Sequence, residues 1–289
     1  MTANPFTSHF ISAQDGLRLH IRVYGEDASR LTPVVCLPGL ARTSGDFDVL
    51  AQALSTSGRR VVAPDYRGRG LSAWDSNPAH YDVLTENADI QAALAAVGVE
   101  QAVFIGTSRG GIHTMVLSAT RPRLIKAAVI NDIGPVIESK GLARIKGYVG
   151  KLPQPRDWSD AVDLIKRLAS AQFTALSEAE WDSFARLTFV EKDGKLIPRY
   201  DPALAKNLMA IDLTAKIPDL WPQFMGLAHV PLLVVRGANS DILSPETLAE
   251  MTLRHPRCET LTVAGQGHAP LLLDAPTISW ISAFVEAHG

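Results

Sequence analysis

Short apolar runs that end at a glycine, proline or asparagine recur along the chain, and this pattern constrains the fold more than any other feature. Runs that are apolar throughout are typical of strands buried on both faces of a parallel sheet. They alternate with stretches of helical periodicity such as Thr85–Val97 and Pro276–Ala287. The alternation predicts an α/β fold, mostly a parallel twisted sheet flanked by helices. The predicted strands are Pro33–Leu37, Arg60–Ala63, Gln101–Ile105, Lys126–Ile130, Pro231–Val235 and Glu259–Val263.

The N-terminal part of the chain carries a hairpin signal. Asp15-Gly16 separates His9–Gln14 from Leu17–Tyr24. Because Asp-Gly suits a two-residue turn between antiparallel strands, we expect the sheet to begin with an antiparallel pair.

One long segment interrupts the alternation. From about Pro135 to Ala228 no apolar run ends in a glycine turn. Instead, apolar residues spaced three and four apart surround Trp158 and Trp181, which is typical of amphipathic helices. We therefore predict a core domain formed by residues 1–134 and 228–289, with a mainly helical insertion at residues 135–227. Asp193-Gly194 predicts a turn within it.

Composition excludes several classes of protein. The 289 residues include 28 Lys and Arg against 30 Asp and Glu, a net charge of −2, which offers no attraction to nucleic acid or an anionic membrane. No apolar stretch is long enough to span a membrane, and the first residues do not resemble a secretory signal. Cys36 and Cys258 are far apart and are predicted to be buried thiols, outside any disulfide or metal site. We expect a cytoplasmic protein without nucleic-acid or membrane partners and without a metal; its oligomeric state stays open.

The strongest chemical signal is the sequence Gly106-Thr107-Ser108-Arg109-Gly110-Gly111, which follows a predicted strand and precedes a helical pattern. A serine in a sharp strand-to-helix turn has an exposed hydroxyl, and flanking glycines remove Cβ atoms that would collide. The helix that begins there directs backbone N–H groups toward developing negative charge. These features predict that Ser108 is a catalytic nucleophile.

A serine nucleophile needs a base, and His268 is the predicted one. It lies among small residues in Gly265–Pro270, directly after the last predicted strand. The other histidines are assigned elsewhere: His9, His20, His80, His255 and His288 to the surface, His113 to a helix position pointing away from the serine, and His229 to the wrong end of a strand.

Two aspartates compete to orient the base. Asp241 lies in the loop after the Pro231–Val235 strand, and the order Ser108, Asp241, His268 is the one expected for a serine in such a turn. Asp132 follows the Lys126–Ile130 strand at the same edge of the sheet. We favour Asp241 and keep Asp132, which could also be a turn residue, as the alternative.

The developing oxyanion needs two backbone donors. The residue after the nucleophile supplies one, here the Arg109 N–H. The second is expected from the loop after the Pro33–Leu37 strand, where Gly39 permits a close approach and Leu40 is the candidate donor.

Taken together, the sequences LPGL, DYRGRGLS, GTSRGG, RGANSDILS and GQGHAP resemble the α/β-hydrolase superfamily, specifically its esterase-like branch with a cap domain. The resemblance places residues 135–227 in the position of the cap and implies a structural role for Arg67. Epoxide hydrolases and haloalkane dehalogenases of similar architecture use an aspartate as nucleophile, so Ser108 argues against both.

The expected reaction is cleavage of a carboxylic ester of a small molecule, without a cofactor. Several alternatives use the same residues and stay open: a lactonase or amidase, hydrolysis of a C–C bond in a meta-cleavage-type diketone, and acyl transfer to an acceptor other than water. A non-catalytic ligand-binding protein with this fold is the alternative outside the enzymes.

Candidate substrate-binding residues come from the aromatic content of the insertion and from two arginines. Trp158, Trp181, Trp221 and Phe184 either pack within the insertion or line an apolar pocket. Arg42 and Arg109 lie beside the oxyanion donors in the sequence and suggest a substrate that bears a carboxylate.

Overall fold

The computed structural model describes residues 5–27, 29–215 and 217–289. Its strands are β1 (Thr7–Ser12), β2 (Arg18–Tyr24), β3 (Val34–Leu37), β4 (Val61–Asp65), β5 (Ala102–Thr107), β6 (Ile125–Asn131), β7 (Phe189–Lys192), β8 (Lys195–Pro198), β9 (Leu232–Gly237) and β10 (Cys258–Val263). Its helices are α1 (Asp48–Thr56), α2 (Val83–Ala96), α3 (Arg109–Thr120), α4 (Ser139–Tyr148), α5 (Trp158–Ala169), α6 (Glu178–Thr188), α7 (Ala205–Met209), α8 (Trp221–Met225), α9 (Pro245–Arg254) and α10 (Ala275–His288).

Eight strands form one sheet in the order β1-β2-β4-β3-β5-β6-β9-β10. The five pairings from β4 to β10 are parallel, whereas β1 with β2 and β2 with β4 are antiparallel. Each predicted core strand is present, and Gly16 has the positive φ of 86° that the hairpin connection requires. The predicted α/β fold is confirmed.

Alternate residues of the central strands supply two separate apolar layers. Val35 and Leu37 of β3 belong to the layer covered by α2, α3 and α9, whereas Val34 and Cys36 belong to the layer covered by α1 and α10. This division follows from the two-residue period of a strand, which sends successive side chains to opposite faces. Helices on both faces leave the carboxyl ends of the strands as the edge available for a site.

The segment between β6 and β9 is mainly helical, as predicted, and it also contains a hairpin. The strands β7 and β8 pair antiparallel around Asp193 and Gly194, both with positive φ, so the predicted turn is confirmed. A separate apolar cluster joins α5, α6 and β7. Near the C-terminal end of the segment, Phe224 packs into the core layer under α3. Residues 135–227 are called the inserted segment below; the division into two domains stays a prediction.

The two cysteines are unpaired, as expected. Cys36 is fully buried in β3, as predicted, whereas Cys258, at the start of the edge strand β10, is only half-buried, contrary to the prediction. Within the described part of the chain no helix is both long and apolar enough to cross a bilayer.

Two glycines allow a matched test of how closely α3 packs against the end of β3. A Cβ at Gly110 would lie 2.0 Å from the Leu37 carbonyl oxygen, whereas a Cβ at Gly147 in α4 would meet nothing within 4 Å. We expect Gly110→Ala to lower the free energy of unfolding by about 2 kcal/mol or more, because the backbone must shift. Gly147→Ala should raise it by about 0.5–1 kcal/mol through helix propensity. Urea unfolding of both variants measures this, and an unchanged Gly110→Ala protein would contradict the close packing.

Candidate active site

Ser108 occupies a strained turn between β5 and α3. Its φ is 51° and its ψ is −110°, outside the favoured regions for an L-residue. A Cβ at Gly106 would lie 2.4 Å from the Gly110 carbonyl, so the turn can close only with a glycine there. The Ser108 N–H donates to the Asn131 carbonyl of the neighbouring strand at 2.9 Å. The backbone therefore holds the serine at the carboxyl edge of the sheet, in the context that the sequence predicts.

His268 lies against this serine. Its Nε2 is 2.8 Å from Ser108 Oγ, and its Nδ1 is 2.8 Å from Asp132 Oδ2. With the proton of a neutral imidazole on Nδ1, donation to the carboxylate leaves Nε2 as the acceptor for the serine O–H. The arrangement is that of a nucleophile, a base and an orienting acid.

Asp132 is fully buried and holds a fixed position. Its Oδ1 accepts a hydrogen bond from the Gly237 N–H at 2.7 Å, and its Oδ2 accepts one from Ser240 Oγ at 2.6 Å. Its φ of 58° turns the chain directly after β6. These two hydrogen bonds fix the orientation of the carboxylate beside His268.

The preference for Asp241 as the partner of His268 is wrong in this geometry, and the alternative Asp132 is the residue in contact. Asp241 accepts two hydrogen bonds from Arg144 of α4, at 2.7 and 2.8 Å. The physical reason is the loop: a turn from Gly237 to Ser240 follows β9 and carries Asp241 to the inserted segment. Asp132, by contrast, leaves β6 directly beside the serine's strand. Both aspartates precede His268, so chain order could not separate them.

The structure places both expected oxyanion donors beside the serine. Arg109 is the first residue of α3, where a backbone N–H has no partner inside the helix. A Cβ at Gly39 would lie 4.0 Å from Ser108 Cβ, and Leu40 follows in the turn that the Arg42 N–H closes on the Gly39 carbonyl. Their role as donors stays a prediction.

A cavity of about 150 Å³ opens at Ser108 and His268. Most of its wall is apolar, and half of the 26 lining residues belong to the inserted segment. The apolar lining residues include Ile145, Leu152, Ile165, Leu168, Phe173 and Phe184. Such a wall suits the hydrocarbon part of a small substrate.

The three candidate tryptophans do not line this cavity, and the alternative, packing within the fold, applies to them. Trp181 is buried and stacks on Phe184, with ring planes 9° apart. Trp158 lies under the Arg186 guanidinium, and Trp221 packs edge-on against Phe224 on the core. Trp158 and Trp221 are only partly buried, and of the four aromatic candidates Phe184 is the one that reaches the cavity.

The two arginines expected to bind a substrate carboxylate are already paired. Arg42 lines the cavity but donates Nε and Nη2 to Asp46 and Nη1 to Thr188. Arg109 is bound to the buried Glu86 at 2.7 and 2.9 Å, and its side chain is not part of the cavity wall. Arg42 has each of its three nitrogens engaged and the Arg109 side chain does not reach the cavity, which contradicts the expectation for both.

A buried ionic cluster supports α3 from below. Glu86 is fully buried and is paired with Arg69 and Arg109. Burial alone would raise the pKa of Glu86, but the two guanidinium charges bring it well below its usual value. His113 Nε2 lies 3.1 Å from the same carboxylate, yet burial lowers the pKa of His113 to about 4. The imidazole is therefore neutral at pH 7.

Gln172 of the inserted segment holds the loop that carries His268. Its Oε1 accepts a hydrogen bond from the His268 N–H at 3.0 Å, and its carbonyl accepts one from Asn239 Nδ2 at 2.9 Å. A Cβ at Gly267 would lie 2.5 Å from the Gln172 side chain, so this loop and the segment are in tight contact. No sequence signal pointed to Gln172, because a glutamine after a helix carries no motif.

Other histidine and arginine predictions had mixed outcomes. His20 and His255 are buried, not at the surface: His20 pairs with Asp65 at 2.7 Å, and His255 Nε2 donates to the Leu227 carbonyl at 2.9 Å. Alternation along β2 could have indicated that His20 faces inward. Arg67 has the predicted structural role, binding three carboxylates, those of Asp15, Asp75 and Asp89.

Comparison with known proteins identifies relatives over most of the chain. Residues 32–275 match the family model described as alpha/beta hydrolase fold. A 3-hydroxybutyrate-oligomer hydrolase of Cupriavidus necator is 31% identical over 96% of this chain and 97% of that protein. The sn-1-specific diacylglycerol lipase ABHD11 of Mus musculus is 29% identical over 82% of this chain and 75% of that protein. The crystal structure of an alpha/beta hydrolase from Novosphingobium aromaticivorans superposes with a TM-score of 0.91 at 38% identity, covering 98% of both chains.

The neutral His113 predicts a pH dependence of stability. Its pKa falls from 6.5 in the unfolded chain to about 4 in the folded protein, so between these values the unfolded state binds the extra proton. Stability from this group is present above pH 6.5 and is lost as the pH falls toward 4; about 2 kcal/mol disappears between pH 7 and pH 5. His113→Gln, with no titrating ring, should show a correspondingly smaller difference in unfolding free energy between these pH values.

Urea unfolding at pH 7 and pH 5 measures this difference in both proteins. An equal pH dependence in wild type and variant would show that His113 is not the group responsible. If the variant does not fold, titration of the His113 ring signals by NMR in the wild type gives the same pKa directly.

Proposed function

The chain belongs to the α/β-hydrolase family, and from this we propose that it hydrolyses carboxylic esters of small molecules through an acyl-enzyme on Ser108. The observation that carries the proposal is the continuous chain of hydrogen bonds from Ser108 Oγ through His268 to Asp132, each at 2.8 Å. Such a series of hydrogen bonds makes the serine hydroxyl nucleophilic at neutral pH, whereas the hydroxyl of an isolated serine is a weak nucleophile.

In the proposed mechanism His268 removes the proton of Ser108 while Oγ attacks the ester carbonyl carbon. Asp132 holds the imidazole in the required tautomer and stabilises the imidazolium that forms. The Leu40 and Arg109 N–H groups bind the oxyanion of the tetrahedral intermediate, and each donor is worth about 3 kcal/mol. The imidazolium then protonates the leaving alcohol, and water, activated by the same imidazole, hydrolyses the acyl-enzyme.

Two further observations support an ester as the substrate. The cavity wall is mostly apolar, which suits a short acyl or alkyl chain. Among the relatives, the Cupriavidus necator protein is named as a hydrolase of 3-hydroxybutyrate oligomers and the mouse protein as a diacylglycerol lipase. Both names describe substrates that contain carboxylic ester bonds.

We also propose that the inserted segment is a cap on the core domain. It supplies most of the apolar wall of the cavity, while the loops after the sheet strands supply Ser108, Asp132 and His268. The core would then carry the reaction, and the cap would select the substrate.

Replacement of the nucleophile tests the proposal. Ser108→Ala should remain folded, because the turn keeps its glycines, and should lose p-nitrophenyl acetate hydrolysis by about 10⁴-fold or more. Circular dichroism and thermal unfolding verify the fold. Substantial residual hydrolysis in this variant would refute the role of Ser108, and a parallel panel of ester, lactone, amide and diketone substrates shows which bond the wild type cleaves best.

A second pair of variants decides between the two aspartates. Asp132→Asn should lower kcat by about 10⁴-fold, because an amide no longer holds the Nδ1–H tautomer of His268. Asp241→Asn should lower kcat for the neutral p-nitrophenyl acetate less than tenfold, since Asp241 binds Arg144 instead. Steady-state kinetics of both variants measures the effect, and a larger loss in Asp241→Asn would reverse the assignment.

A further inference from the structure

The pairing of Asp241 with Arg144 brings a guanidinium into a cavity that is otherwise mostly apolar. Arg144 lies on the cavity wall together with Ser108 and His268. Its two hydrogen bonds to Asp241 use Nε and Nη2. Among the residues that the structure describes, no further hydrogen bond engages Nη1, which leaves this nitrogen for another partner. Arg42, the other guanidinium of the wall, has all three nitrogens engaged, so Arg144 is the cation of this wall with donors to spare.

The position of Arg144 is fixed by the packing of α4 on the core. A Cβ at Gly141 would lie 2.3 Å from the Asp241 carbonyl oxygen, so the helix and this loop are in backbone contact. The Glu138 N–H, just before the helix, donates to the Ile242 carbonyl at 3.1 Å. Because the bidentate pair also sets the plane of the guanidinium, Arg144 is held ready for a ligand at little cost in side-chain entropy.

Tyr148 lies one helical turn beyond Arg144 on the same face of α4 and also lines the cavity. Burial raises the pKa of Tyr148, while the nearby guanidinium groups of Arg144 and Arg42 act in the opposite direction. The hydroxyl is therefore protonated at neutral pH and sits in a positive environment. A phenol that accepts a hydrogen bond from a guanidinium can still donate its own O–H to a ligand.

From this arrangement we propose that Arg144 and Tyr148 form a carboxylate subsite in the cavity, so that the preferred substrates are esters with a free carboxylate, such as short linear oligomers of a hydroxy acid. The proposal rests on the ester hydrolysis proposed above. A guanidinium favours a carboxylate over a neutral carbonyl because the hydrogen bond is charge-assisted. Such an oligomer presents an ester to Ser108 and a terminal carboxylate to Arg144, and the apolar wall contacts the carbon chain between them.

Matched substrates with identical scissile esters test the subsite. In one pair, 3-acetoxybutyrate and 3-acetoxybutyramide, the charge lies on the alcohol part; in the other, monomethyl succinate and methyl succinamate, it lies on the acyl part. We expect the wild type to prefer the acid of at least one pair by tenfold or more in kcat/KM. Arg144→Gln should reduce kcat/KM for that acid by about 10- to 100-fold and for its amide by less than about threefold.

Loss of Arg144 leaves Asp241 without its partner, so a double variant is the sharper comparison. Arg144→Gln combined with Asp241→Asn removes both charges. This double variant should still hydrolyse the ester of the carboxamide substrate and should lose the preference for the carboxylate substrate. Tyr148→Phe should lower kcat/KM for the acid by about three- to tenfold. Arg186→Gln, which removes an exposed arginine outside the cavity, is the matched control and should leave both substrates unchanged.

Two outcomes overturn the subsite: no preference for the acid in either pair, or an equal loss for acid and amide in the double variant. If the Arg144 variants do not fold, inhibition of wild-type p-nitrophenyl acetate hydrolysis by butyrate and by butyramide replaces them. Inhibition by butyrate that is no stronger than that by butyramide also overturns the subsite. Absence of hydrolysis of every ester, acidic and neutral alike, or hydrolysis that Ser108→Ala retains in full, would instead refute the proposed function.

Discussion

The in-register parallel pairing of β5 with β6 is the constraint on which the rest of the site depends. Thr107 pairs with Asn131, so Ser108 and Asp132 leave adjacent strands at the same level of the sheet. Both residues have positive φ, and the Ser108 N–H donates to the Asn131 carbonyl. A shift of one residue in this register would move every side chain of the strand to the opposite face and separate the serine from the acid. His268 then needs only one loop from the edge strand to bridge the two.

The strained turn at Ser108 depends on what lies beneath it. Glu86 on α2 is fully buried and binds Arg69 of one loop and Arg109 of α3. Removing either guanidinium would leave the buried Glu86 carboxylate with one cationic partner instead of two, and breaking a buried ion pair costs far more than the net gain from forming it. The cluster therefore fixes where α3 begins, and with it the backbone N–H groups beside the serine. The geometry of the candidate site is held by buried charge as well as by glycine packing.

The sequence was sufficient for features that depend on local pattern. Continuous apolar runs predicted the core strands, Asp15-Gly16 the first hairpin, and the glycines around Ser108 the strand-to-helix turn. Asp132 and Asp241 could not be separated in this way, because both follow a strand at the same edge and both precede His268. The choice depends on which loop turns back over the sheet, and that is set by long-range contacts such as the Gly237 N–H on Asp132.

Side chains of the inserted segment were harder to place for a related reason. Helical periodicity identifies an apolar face but not which part of it packs on a neighbouring helix and which part borders a cavity. Trp181 and Phe184 lie one turn apart on α6, yet Trp181 is buried in the cluster and Phe184 reaches the cavity. The polar contacts of Gln172 and Arg144 join residues far apart in the chain, and no spacing rule describes them.

The position of Asp241 connects these observations. A carboxylate at this point of the loop could contact His268, but His268 already pairs with Asp132, and a second carboxylate charge beside Asp132 would be repelled by the first. Asp241 avoids that repulsion by accepting the Arg144 guanidinium: burial alone would raise its pKa, and the hydrogen bonds from Arg144 and Gln172 lower it. Gln172 also accepts the His268 N–H. The inserted segment is thereby tied to the loops of both His268 and Asp241, so its position on the core and the orientation of the base cannot change independently.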